Sequence, residues 1–207
     1  SFLVTAKLAG IAYILAVVLG IVVGVVAAVN HGKWVDSALM TISVFGISAP
    51  AFWIAIILQI VICLKFNLLP LSGIDSFKSF ILPGIALGTR YAASIARITR
   101  TSMLDVLSQD YIRTAEAKGL KGWVVTIKHA LRNALIPIIT IAGSDLGNIL
   151  TGSVLVESVF SIPGIGKMLV DSINTRDLPI VQGGVMYIAV ICVIMYLVVD
   201  LLYTVVD

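Results

Sequence analysis

Three stretches of this sequence, residues 8–32, 37–64 and 178–199, hold no charged side chain. Each is longer than the ~20 residues that carry an α-helix across about 30 Å of hydrocarbon. Composition agrees, since 59% of residues are hydrophobic and 12% charged, against roughly 45–50% and 25% in globular chains. Lipid, not water, is the solvent that suits this chain. The runs are continuously apolar, whereas strands of a transmembrane barrel alternate at period two, so the fold class expected is all-α, a polytopic membrane bundle.

Several functions are excluded at the same time. The hydrophobicity rules out disorder, and a net charge of +3 offers no basic surface for nucleic acid. The two cysteines, Cys63 and Cys192, both fall inside apolar runs and read as polarizable space-fillers. With His31 and His129 the only histidines, no spacing suits a metal site, and no cofactor is expected.

About five membrane helices can be drawn, over residues 8–29, 37–64, 80–98, 133–156 and 180–206. Asn30, Gly32 and Lys33 close the first. Pro50 lies inside the second and removes a backbone donor, so a kink is expected there. Residues 65–78, with Pro70, Gly73 and Asp75, form a loop. Asp200 lies near the end of the last span. Orientation follows from Lys and Arg near the helix ends. Lys33 together with Arg97, Arg100, Arg113, Lys118, Lys121, Lys128 and Arg132 makes eight on one side, against five on the other (Lys7, Lys65, Lys78, Lys167, Arg176). Residues 97–132 and the C-terminal Asp207 are therefore expected in the cytoplasm and Ser1 outside. Ser1 is not an initiator methionine and no signal peptide precedes it, so a further helix upstream is expected. No internal repeat is visible, which disfavours a secondary transporter built from duplicated halves.

The segment between the third and fourth spans, residues 101–132, is too long for a plain linker and has helical composition. In Tyr111-Ile112-Arg113-Thr114-Ala115-Glu116-Ala117-Lys118-Gly119-Leu120 small and apolar residues recur at three- and four-residue spacing. Gly119 suits the position just past a helix end, where φ is positive. Two readings fit this segment: a compact knob that seats in another protein's groove, or a helix resting on anionic headgroups.

Residues 110–137, ending in His129-Ala130-Leu131-Arg132-Asn133-Ala134-Leu135-Ile136-Pro137, resemble the cytoplasmic signature of binding-protein-dependent ABC importer permeases. Anchored on Gly119, the general pattern of Glu-Ala-Ala, three residues, Gly, nine residues, Ile, one residue, Leu-Pro keeps Ala115, Gly119 and Leu131 and departs at Arg113, Thr114, His129 and Arg132. Those departures resemble the dipeptide/oligopeptide/nickel branch. Further similar strings are Gly46-Ile47-Ser48-Ala49-Pro50-Ala51-Phe52-Trp53 and Val156-Glu157-Ser158-Val159-Phe160-Ser161-Ile162-Pro163-Gly164.

The resemblance implies a non-enzymatic permease domain over residues 1–207 in a prokaryotic inner membrane, importing peptides, or in an alternative nickel or glutathione. Its implied partners are a second homologous permease in a heterodimer, two ABC ATPase subunits and an external solute-binding protein. The coupling helix is implied at Arg113, Thr114, Ala115, Glu116, Ala117, Lys118, Gly119 and Leu120, so a bulky residue at Ala115 is expected to spoil its fit to the ATPase. The turn bearing Glu157, Pro163 and Gly164 is implied to belong to an external gate.

Two charges interrupt the spans: Arg90 in the third and Asp145 in the fourth. Each costs roughly 2.5–3.5 kcal/mol at mid-bilayer on an insertion scale, so each must face protein or water. Helix rise puts them about 15 Å and 18 Å into their spans, near the midplane. They fit a structural ion pair, a pair lining the solute path, or two residues in separate cavities. An intramembrane enzyme would need more such groups at one depth.

Overall fold

Along α1 (Phe2–Val29) the side chains at four-residue intervals are small, and Ala12, Ala16, Gly20, Gly24 and Ala28 are all buried. They lie along α4 (Ile81–Leu107), whose own Gly84 and Gly88 are buried in turn. A methyl group on Gly88 would sit 2.8 Å from the Ala12 carbonyl, and one on Gly24 would sit 2.6 Å from the Ala96 carbonyl. The two backbones are thus in near contact. In lipid, helices gain little by hiding apolar surface from their surroundings, so close approach through small residues supplies the attraction. The partners climb together, Ala12 with Gly88 and Gly24 with Thr99, which makes α1 and α4 parallel.

The computed structural model describes residues 1–74 and 76–206, so Asp75 and Asp207 lie outside the described residues, as do the side chains of Asp200 and of residues 202–206. All regular structure among the described residues is helical. After α1 come α2 (Trp34–Ser48) and α3 (Ala51–Leu58), which widens into a π-helical stretch, Gln59–Lys65. A 3-10 turn, Phe77–Phe80, leads into α4. Then follow α5 (Asp110–Ala117), the single turn α6 (Gly122–Val124), a second π-helical stretch, Val125–Leu131, and α7 (Arg132–Val159). The chain closes with α8 (Ile165–Asn174) and α9 (Leu178–Val206). α7 runs back along α4, with Gly152 near Leu87 and Tyr91, and α9 lies on α7 through Tyr196 at Gly147.

Three differences from the sequence expectation have physical causes. The second span is broken, not merely kinked: α2 and the helix from Ala51 to Lys65 meet at 106°. A proline disfavours helical backbone in the residue before it. Here both Ala49 (ψ 128°) and Pro50 (ψ 137°) are extended. The third helix continues nine residues beyond Ile98 to Leu107, so the start of the expected loop is a rigid extension of the span. Finally, among the described residues three helices are long and apolar enough to cross a membrane, or four if the bent pair is one span, where about five were expected. α4 is not among them, although its 27 residues measure about 40 Å. Its neighbours cover most of it, while Arg90 and Arg97 lie on its exposed side and Arg100 is half-buried against Asp36. By contrast only 6% of the α9 span is buried.

Two apolar clusters fill the bundle. One gathers Leu8, Phe80, Leu87, Ile149 and Phe160 at the α8 end. The other gathers Ile95, Met103, Ile112, Val125 and Ile138 at the α5 end.

If the α1–α4 seam holds the bundle, Gly24→Leu should lower stability by about 1–3 kcal/mol, the usual cost of overpacking. Gly10→Leu, at a position with nothing within 4 Å, should stay within about 0.5 kcal/mol. Denaturant titration in detergent micelles measures both, and equal losses would remove the seam's special weight.

Candidate functional site

α5 stands at the end of α4 as a half-buried helix. Ile112 (1% exposed) and Ala115 (7%) turn inward to the cluster of Met103, Val125, Ala130 and Ala134. Arg113, Thr114, Glu116, Ala117, Lys118, Gly119 and Leu120 face outward. Ala115 therefore packs behind the exposed face of α5, its methyl turned into the bundle. The helix ends as a Schellman motif: Gly119 N–H donates to the Glu116 carbonyl at 2.9 Å and Leu120 N–H to the Ala115 carbonyl at 3.4 Å. Gly119 takes φ +74°, with open space around its Cα. Asn133 of α7 donates to the Tyr111 hydroxyl at 3.1 Å and tethers α5 sideways.

Beside it lies an ion cluster that local sequence patterns do not reveal. Asp36 is 4% exposed and takes a two-pronged grip from Arg100, with Nε to Oδ1 at 2.6 Å and Nη2 to Oδ2 at 2.8 Å. Gly32 N–H donates to Oδ2 at 3.2 Å, and His31 Nδ1 lies 3.2 Å from the same oxygen. This fork pins the α1–α2 turn to α4. Its only sequence trace is an acidic residue immediately before an apolar run.

At the opposite end the structure brings two of the three expected turn residues together. Glu157 is fully buried; its Oε2 accepts from Gly166 N–H at 2.8 Å and Lys167 N–H at 3.2 Å, and its Oε1 accepts from the Ser153 hydroxyl at 3.1 Å. The Thr5 hydroxyl accepts from Ile165 N–H at 2.9 Å. The first three N–H groups of α8 are thus satisfied by α7 and α1, and a carboxylate sits at the positive end of that helix. Gly164 is packed on the Glu157 carboxylate, which a Cβ would strike. Pro163 is exposed on the turn.

Arg90 and Asp145 line one polar cavity of about 500 Å³ between α4 and α7, with Tyr91, Ser94, Asn148 and Thr151. Among the described residues no ion pair within 4.0 Å joins them. Asp145 Oδ2 is buried without a hydrogen-bond partner. Asn148 is oriented by the Tyr196 hydroxyl, which donates to its Oδ1 at 2.9 Å.

The family model described as binding-protein-dependent transport system inner membrane component matches residues 20–207. The chain belongs to that family. It is a multi-pass inner-membrane component of a binding-protein-dependent transport system. The glutathione transport system permease protein GsiC of Escherichia coli strain K12 is 44% identical over 192 residues, covering 93% of this chain and 63% of the relative. The dipeptide transport system permease protein DppB of Alkalihalophilus pseudofirmus is 42% identical over 231 residues, covering 98% of this chain and 69% of the relative. The chain thus spans under two thirds of GsiC. Among solved structures, the inward-facing MetNI methionine ABC transporter superposes with a TM-score of 0.78 at 16% identity, over 99% of this chain and 93% of that one. An amino acid ABC transporter with histidines gives 0.69 at 17%, over 99% and 89%. These two establish the likeness of fold.

The buried Glu157 should hold α8 in place. Glu157→Ala, which strips two N–H groups of their acceptor, should cost about 2–4 kcal/mol, and Glu157→Gln less because one oxygen remains. Trypsin cleavage at Lys167 and Arg176, next to α8, should speed up in the same order. A fully stable Ala variant would contradict the capping role.

Proposed function

We propose that this chain forms half of the membrane pathway of an ATP-driven importer of di- or oligopeptides, and that α5 is the part gripped by an ATP-hydrolysing subunit. In this reading residues 97–132 and the C-terminus are cytoplasmic. The partners are a second, homologous permease in a heterodimer, two ATPase subunits and an external solute-binding protein. The turn around Glu157, Pro163 and Gly164 belongs to the external gate.

The observation that carries this reading is the form of α5. A short helix braced from behind by Ile112 and Ala115, with its other face exposed, is a rigid handle. α4 joins it to the bundle as one continuous rod from Ile81 to Leu107, with two residues between them. Force applied to the handle therefore reaches the membrane part without side-chain chemistry, as in rigid-body transitions between packed states. Among peptide-like solutes the dipeptide relative supports the reading directly. The glutathione relative supports a second one, in which the same machine imports that modified tripeptide.

The decisive experiment is ATP-driven uptake by the assembled transporter in proteoliposomes, with labelled dialanine and labelled glutathione offered separately. Uptake of dialanine supports the first reading and exclusive uptake of glutathione the second. The paired charge reversal Arg113→Glu/Lys118→Glu, on the exposed face of α5, should reduce uptake at least about tenfold while stability stays within about 0.5 kcal/mol, as for most exposed positions. Ala115→Leu should behave differently, lowering stability by about 1–3 kcal/mol through overpacking behind the handle. Undiminished uptake in the charge-reversed variant would remove α5 from the coupling path.

A further inference from the structure

The cavity between α4 and α7 carries one charge of each sign, and no salt bridge joins the two. Asp145 Oδ2 is buried and accepts no hydrogen bond. Among the described residues no cation lies within 4.0 Å of Asp145 and no carboxylate within 4.0 Å of Arg90. A carboxylate oxygen withdrawn from water is strongly unfavourable until a donor meets it. Arg90 lines the same space on a long, flexible side chain. Arg90 and Ser94 lie one turn apart on α4, and Asp145, Asn148 and Gly152 follow one face of α7, so the polar wall is built by helical register and not by a stray side chain.

The space is also the right size. About 500 Å³ falls inside the range of roughly 300–1,000 Å³ that holds small-molecule ligands. A second, apolar crevice beside Phe2, Leu150 and Ile165 holds only about 10 Å³ and admits no solute.

We propose that Arg90 and Asp145 form a binding site for a zwitterionic solute, Asp145 receiving its ammonium group and Arg90 its carboxylate. Ser94 and Thr151 supply hydroxyls to the amide between the two ends. The proposal rests on the peptide-import reading and sharpens it. A short peptide has one ammonium and one carboxylate, which this wall matches one to one. Glutathione carries a second carboxylate, for which the wall has no second cation. The site therefore selects for short, uncapped peptides, as a second filter behind any external binding protein.

The test is equilibrium binding of labelled dialanine to the permease–ATPase complex in nanodiscs, without the external protein so that its own selectivity does not intervene. Competitors are N-acetyl-dialanine, which lacks the ammonium, dialanine amide, which lacks the carboxylate, and glutathione. In the native complex each competitor should be at least about tenfold weaker than dialanine, the effect of losing one charge-assisted contact. Asp145→Asn should abolish the discrimination against N-acetyl-dialanine alone, and Arg90→Gln the discrimination against the amide alone. That crossed pattern is one a structural ion pair cannot produce.

Equal competition by the capped probes in the native complex overturns the site, and this comparison needs no variant to fold. Equal loss of all probes in both variants overturns it in favour of a structural pair. No dialanine binding up to about 10 mM also overturns it, but leaves peptide import standing if ATP-driven dialanine uptake with the external protein persists. Absence of that uptake for every peptide overturns the import reading itself.

Discussion

The contact on which the rest of the molecule depends is the seam of small residues between α1 and α4. Lipid offers helices no reward for hiding apolar surface, so these two are held by backbone proximity at Ala12–Gly88 and Gly24–Ala96. That proximity places α4 in the middle of the bundle, with its apolar side chains buried or half-buried. One continuous helix then bears both the cavity wall and, at its far end, the handle formed by α5. Cavity and handle are mechanically linked because they share a rod.

Three buried or half-buried carboxylates face the same desolvation problem and meet it differently. Asp36 receives a guanidinium fork and a backbone N–H. Glu157 receives two backbone N–H groups and a hydroxyl. Both are closed arrangements, and both pin a turn to the bundle at its two ends. Asp145 alone keeps a buried oxygen without a partner, and it alone faces a space large enough for a solute. A carboxylate that the fold leaves open has a different role from two that it seals.

Parts of this were legible from the chain and parts were not. The uncharged runs located α1 and α9, because an apolar segment of that length has one favourable solvent. Gly119 announced the end of α5 because a Schellman cap needs positive φ there. Pro50 announced a disturbance but not a turn of 106°, since two consecutive extended residues change direction far more than one missing hydrogen bond. Ala115 packs inward: small size says that something packs closely, not on which side. The Arg100–Asp36 fork joins residues 64 positions apart, a separation at which no local pattern reports contact. The four-residue spacing of Ala12, Ala16, Gly20, Gly24 and Ala28 was present to be read and is the signal that would have located the seam.

What the sequence determines by itself is the solvent and the element type, since the free energy of transferring long uncharged segments depends on composition and helix rise alone. It also marks the ends of helices wherever glycine or proline limits the backbone. Which face of each helix turns inward, which charges meet and which stand apart were decided by tertiary structure. Those outcomes depend on how closely two backbones approach, and that distance arises only when residues remote in the chain are brought side by side.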